Sequence, residues 1–227
     1  MDVDLQLAIA ASHLRELPAD VLADLTAGAV RLKVPAGSVI HREGEGTPHL
    51  ELVVSGVVRA FVTAPDGRTM TVRYCRPGAL LGVMSLFTPG FAMPASVQSL
   101  VDAELLALSP AVSRRAAAQD VRVTRAFLRE QSERAISFLY EVPGSASATV
   151  RQRVARHLLD LASQAGPDLV VAVGQQQVAD AVGTVREVVV RVLRELRAAG
   201  VVRTERDRIV IVDPARLTAE QAWNSSP

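Results

Sequence analysis

A chain of 227 residues with a single cysteine, Cys75, can close no internal disulfide, and it lacks the several thiolates that an iron–sulfur cluster takes from one polypeptide. Cys75 is left to act as a small buried or half-buried hydrophobe. Long apolar runs are missing as well. No stretch approaches the roughly eighteen uncharged residues of a membrane-spanning helix, and the first residues carry Asp2 and Asp4 instead of a basic leader. The expectation is a cytoplasmic protein with no membrane contact. Histidine is scarce, and His41 and His49 are isolated, so the clustered ligands of a metal-dependent jelly-roll enzyme are not found. There is no Walker loop, no G-x-S-x-G elbow and no H-E-x-x-H pair. An enzyme is therefore not expected, and no metal or catalytic residue is assigned.

What is present is ordinary globular material, 49% hydrophobic and 22% charged, enough for one large domain or two small ones. The net charge of +1 hides an uneven distribution. Residues 1–110 hold 8 basic and 11 acidic side chains, whereas residues 149–208 hold 10 and 7. An acidic first part before a basic last third is compatible with nucleic-acid binding. Of the 25 basic residues only Lys33 is not arginine, and the planar guanidinium fork suits bidentate recognition better than an ammonium does.

Along the chain, a helical stretch from Leu5 to about Ala29 gives way to short β-like runs, 50–54, 57–63 and 70–74, with Ser55-Gly56 and Pro65-Asp66-Gly67 as turns. Such repetition predicts an antiparallel β-roll or jelly roll over about residues 30–108, inside a sensor domain of residues 1–109. Residues 110–141 contain no glycine or proline after Pro110 and predict one helix of about thirty residues. Val121, Arg125, Leu128, Ser132, Ala135 and Leu139 form an a/d-like seam, read as the contact of a homodimer, with core packing against the roll as the other explanation. The small residues of 142–148 predict a hinge. Residues 149–227 read as three helices and a two-stranded wing, 201–212, around a charged turn. The fold class is α+β.

Within that last part, residues 175–196 read as a short helix, a turn at Gly183, Thr184 as a cap, and a second helix, which is a helix-turn-helix in outline. Val185, Val188, Val189, Val192 and Leu196 can be buried along one stripe, leaving Arg186, Glu187, Val190, Arg191 and Arg194 on another side. An arginine near the start of a recognition helix can donate two bonds to guanine, and a glutamate can accept from cytosine. Arg186, Glu187 and Arg191 are thus the base-reading candidates, with Thr184, Val185, Gln175 and Gln176 beside them. The plainer alternative is a solvated helix face with incidental charge pairs.

The segments 39–45, Ser55-Gly56-Val57-Val58, Asp66-Gly67-Arg68, 77–87, and Val182-Gly183-Thr184-Val185-Arg186-Glu187-Val188 with Arg191-Val192-Leu193, in this order and spacing, resemble the cyclic-AMP receptor protein/FNR family from Val30 to Asp213. The resemblance implies a homodimeric transcription regulator of double-stranded DNA that contacts RNA polymerase. It also implies that Arg186, Glu187 and Arg191 stand where that branch reads a TGTGA-like half-site. The ligand positions depart from the pattern. Cyclic-AMP-binding members carry Glu after the glycine matching Gly82 and an Arg-Ser pair further on. Here Val83, Met93 and Pro94 stand instead, with Met84 and Ala95 nearby. A cyclic phosphate with no guanidinium would be buried unpaired at a cost of several kcal/mol. No response to cyclic AMP through the usual contacts is expected.

The apolar residues between Gly82 and Val97 can line a pocket for an unknown small effector, or they can fill the roll. Haem is not expected, since no histidine or cysteine lies in that segment, and no cofactor is assigned. A competing function is a ligand-sensing or protein-interaction module whose winged helix does not bind DNA. Steep salt dependence would separate the two.

Overall fold

The computed structural model describes residues 2–46, 50–67, 69–165, 168–205 and 208–221. His49, Arg68, and Arg206 and Asp207 of the wing turn lie outside them. The chain divides into two compact units, one of residues 1–62 and 72–138, the other of residues 63–71 and 139–227.

The first unit opens with α1 (Val3–Ala11), a 3-10 turn (His13–Glu16) and α2 (Ala19–Leu25). The predicted single helical stretch is broken at Ser12, whose hydroxyl accepts from the Leu14 amide, and again at Pro18. Eight strands follow: β1 (Val30–Val34), β2 (Val39–His41), β3 (Leu50–Ser55), β4 (Val58–Thr63), β5 (Thr69–Cys75), β6 (Leu80–Leu81), β7 (Ser96–Ser99) and β8 (Ala103–Leu108). They form two four-stranded sheets in the orders β1-β8-β3-β6 and β2-β7-β4-β5, with every recorded pairing antiparallel. This is the expected β-roll.

Strand β3 shows why the roll closes. Leu50, Leu52 and Val54 point to one side and join Leu14, Leu25, Phe127 and Leu108 in a core under the helices, whereas Val53 points to the other side and joins Val58, Val97, Met93 and Leu105 between the sheets. Both faces are buried, so the strand reads as a nearly continuous apolar run. The one charge in it, Glu51, is 2% exposed and is met by His41 Nε2 at 2.8 Å.

After β8 the chain forms α3 (Pro110–Gln119) and α4 (Val121–Ser147). The single long helix expected here is thus interrupted at Asp120, whose backbone is extended (φ −130°, ψ 113°). Its carboxylate accepts from the Arg122 amide at 2.9 Å, so an aspartate that would weaken a helix interior instead caps a new one. At the other end α4 stays helical to Ser147, through most of the segment expected to be a hinge.

The second unit holds α5 (Val150–Leu161), β9 (Ser163–Ala165), β10 (Asp168–Val171), α6 (Gln175–Val182), α7 (Arg186–Ala198), β11 (Val202–Thr204), β12 (Ile209–Ile211) and α8 (Pro214–Gln221). Its sheet runs β11-β12-β10-β9, so the two expected wing strands are extended by a second hairpin that the sequence reading missed. Leu217 of α8 is fully buried, and Arg151 of α5 bonds both oxygens of Glu220.

Candidate nucleic-acid interface

The helix-turn-helix is built on three local devices. Thr149 and Gln152 make a reciprocal capping box at the start of α5. Gln177 accepts the Gly174 amide at 2.8 Å at the start of α6. Between α6 and α7, Gly183 is left-handed (φ 68°), a conformation that favours glycine, and the Thr184 amide closes the turn on the Ala179 carbonyl at 3.0 Å. Thr184 itself does not cap α7. Val185 occupies that position and makes no side-chain cap.

Helix α7 is strongly two-sided. Val189, Val192, Leu193 and Leu196 are buried, and Val188 is half-buried. Leu193 takes a place in the core where the stripe had been drawn through Val185, which is 55% exposed at the turn. On the opposite side Arg186, Glu187, Arg191 and Arg194 are all exposed. Arg186, Glu187 and Arg191 span a little over one helical turn, so their side chains leave the first turns of α7 together. Of the α6 residues singled out, Gln175 is half-buried, and Gln176 is exposed but donates to Asp180 Oδ1 at 2.7 Å. Nearby basic groups are more committed. Arg151 bonds Glu195 at 2.8 Å as well as Glu220, and Arg203 and Arg208 of the wing both engage Glu205, whose carboxyl they hold below its usual range.

The residues proposed for a ligand pocket divide between the two cores of this unit. Gly82 begins a 3-10 turn (Val83–Leu86), and Val83 is fully buried in the core under the helices. Met93 belongs to the other core, between the sheets, while Met84 is half-buried, Ala95 is buried and Pro94 is exposed. An open cleft of about 520 Å³ lies alongside, between residues 85–91 and Arg114 of α3. A polar cluster that the sequence reading missed sits elsewhere in this unit. Arg73 Nη2 donates to Glu130 Oε1 at 2.8 Å, with Arg134 one turn further along α4. Alternation from Cys75 would have placed Arg73 on the inner face of β5.

Among the described residues no three His, Cys, Asp or Glu side chains gather as a metal site requires, and no helix is long and apolar enough to cross a membrane.

Two family models match this chain. Residues 31–120 match a cyclic nucleotide-binding domain and residues 152–220 a Crp-like helix-turn-helix domain. The transcriptional regulator LdrP of Thermus thermophilus is 30% identical over 186 residues, covering 80% of this chain and 91% of its own. The CRP-like cAMP-activated global transcriptional regulator of Mycobacterium tuberculosis is 28% identical over 202 residues, covering 86% and 90%. A crystal structure of a CRP/FNR-family transcriptional regulator from Thermus thermophilus superposes with a TM-score of 0.70 at 25% identity, covering 85% of this chain and 98% of that one. With a β-roll, a long helix and a winged helix-turn-helix in that order, the chain belongs to the Crp/Fnr family of DNA-binding transcription regulators.

Proposed function

We propose that this regulator acts as a homodimer, reads an inverted repeat of TGTGA-like half-sites, and does so without the usual cyclic-AMP contacts. The exposed, chemically mixed face of α7 carries this reading. A helix in a solvated role has no need to place Arg186, Glu187 and Arg191 together at its first turns, whereas a helix in the major groove needs donors for guanine and an acceptor for cytosine there.

The homodimer is supported by α4. Val121, Arg125, Leu128, Ser132 and Ala135 are all exposed, although Val123, Ala126 and Phe127 of the same helix are buried. The side chain of Leu139, the last member of that seam, lies outside the described residues. Packing against the roll therefore uses a different face, and the seam is left for a second copy. A two-fold dimer then matches a palindromic operator. RNA polymerase is the further partner that kinship in this family supports, and the cytoplasm is where both partners would be met.

Independence from cyclic AMP rests on chemistry. The Mycobacterium tuberculosis relative is named as cAMP-activated. In this chain Val83 offers no carboxylate to a ribose and Met93 no guanidinium to a phosphate, and both are buried. The test is an anisotropy titration of a labelled duplex with two inverted TGTGA half-sites, with and without cyclic AMP, against a scrambled duplex. Tight, sequence-dependent binding without nucleotide is expected. Binding that appears only with cyclic AMP overturns the ligand reading, and equal binding to both duplexes overturns the half-site.

A further inference from the structure

Helix α7 carries valine on more than one of its sides. Val189 and Val192 are buried with Leu193 and Leu196, in the stripe that packs the helix into its own unit. Val190 stands outside that stripe. At about 100° per residue it falls between Arg186 and Arg194 on the helix circumference, and Glu187 and Arg191 complete the same face. Those four charged residues are exposed, and Val190 among them is half-buried.

Neither helix formation nor solvation favours valine at that position. Its branched Cβ restricts χ1 and makes it a poorer helix former than alanine or the straight-chain residues. A residue that breaks the local rule within an otherwise charged row is expected where a contact is made outside the folded chain. Its neighbours define the chemistry of that contact. Arg186 and Arg191 supply donors and Glu187 an acceptor, whereas Val190 offers two methyl groups and no hydrogen bond. In the major groove the apolar group that distinguishes one base edge from the others is the C5-methyl of thymine.

We propose that Val190 reads a thymine of the operator through its 5-methyl group, as a specificity residue beside Arg186 and Arg191. Arg186 and Val190 are separated by about 6 Å along the helix axis, less than two base-pair steps of roughly 3.4 Å. The thymine therefore lies within two base pairs of the guanine that Arg186 reads. The contact removes water from two apolar surfaces and moves no charge, so it adds discrimination without adding salt dependence. This role rests on α7 lying in the major groove, but not on the TGTGA sequence.

The experiment starts from the duplex that the full-length protein enriches out of a randomised pool, so it does not presuppose the half-site. Each thymine of one half-site is replaced in turn by deoxyuridine, which removes the methyl group and leaves every hydrogen-bonding atom in place. One replacement, within two base pairs of the position where Arg186→Ala relaxes base preference, should weaken binding about fourfold, the worth of one buried methyl group. That ratio should stay constant from low to high salt while both affinities fall. Val190→Ala, which suits a helix better, should bind the thymine and uracil duplexes equally. An enriched sequence unlike TGTGA removes the half-site and leaves the uracil scan to decide the role of Val190. If no sequence is enriched, α7 does not read bases and the role of Val190 falls with it. Uracil duplexes that all bind like the thymine duplex, or a penalty unchanged in Val190→Ala, overturn the proposal while α7 keeps its place in the groove.

Discussion

Arg153 donates from Nε to the Val182 carbonyl at 3.0 Å and from Nη1 to the Ala148 carbonyl at 2.7 Å, so one guanidinium joins the last carbonyl of α6 to the approach of α5. The final carbonyls of a helix have no partner within it, and a cation there also meets the favourable end of the helix dipole. Arg153→Met removes both bonds while keeping an apolar stem. We expect the variant to lose about 1–3 kcal/mol in urea unfolding followed by circular dichroism. It should also bind DNA more weakly, because Val182 immediately precedes the turn at Gly183.

The exposed face of α7 separates base readers from charge. Arg186→Ala should cost about 1–3 kcal/mol in operator affinity and relax preference at one base pair, read from a panel of single-base operator variants. Arg194→Ala, two turns further on, should weaken binding to every sequence alike and reduce the slope of log K against log salt by about one. The same pattern from both variants would mean that α7 does not lie in the groove as proposed.

Neighbouring residues of α4 should behave in opposite ways. Phe127 is 1% exposed and packs with Leu14, Leu25 and Leu108, so Phe127→Ala should cost about 3–5 kcal/mol in stability. Leu128, beside it in sequence, is 62% exposed. Leu128→Glu should leave the circular dichroism spectrum unchanged but convert dimer to monomer in sedimentation equilibrium. A Leu128→Glu protein that sediments as wild type would remove this face from the dimer.

How legible these features were depended on the range of the physics involved. The strands of 50–75 and the helix-turn-helix were readable because turn residues and apolar periodicity act within a few positions, as at Pro65-Asp66-Gly67 and Gly183. The exposed seam of α4 was readable for the same reason, and its distinction from the Phe127 row follows from helical spacing alone. The break at Asp120 was missed because a capping aspartate looks like any other charge inside an otherwise uninterrupted helical composition. Hairpin β9–β10 was missed because its three- and four-residue strands gain stability from pairing with β12, which is distant in sequence. The Arg73–Glu130 pair lies 57 residues apart, and only the fold brings it together. Val83 and Met93 were read as possible neighbours, and only the fold assigns them to separate cores.

Asp120 gives a pH dependence with a defined sign. Its carboxylate takes bidentate hydrogen bonds from the Arg122 guanidinium and also accepts the Arg122 amide at the start of α4, which lowers its pKa from 3.8 to about 2. A carboxyl whose pKa is depressed in the folded state binds fewer protons there than in the unfolded chain. Its contribution is fully present above the unfolded value of about 4 and is lost as pH falls through the folded value. Asp120→Asn retains a capping side chain but not the charge. The thermal midpoint of the wild type should therefore exceed that of Asp120→Asn at pH 6, and the gap should narrow steadily between about pH 4 and pH 2. A gap that stays constant across that window would show that the ion pair with Arg122 adds nothing beyond the cap itself.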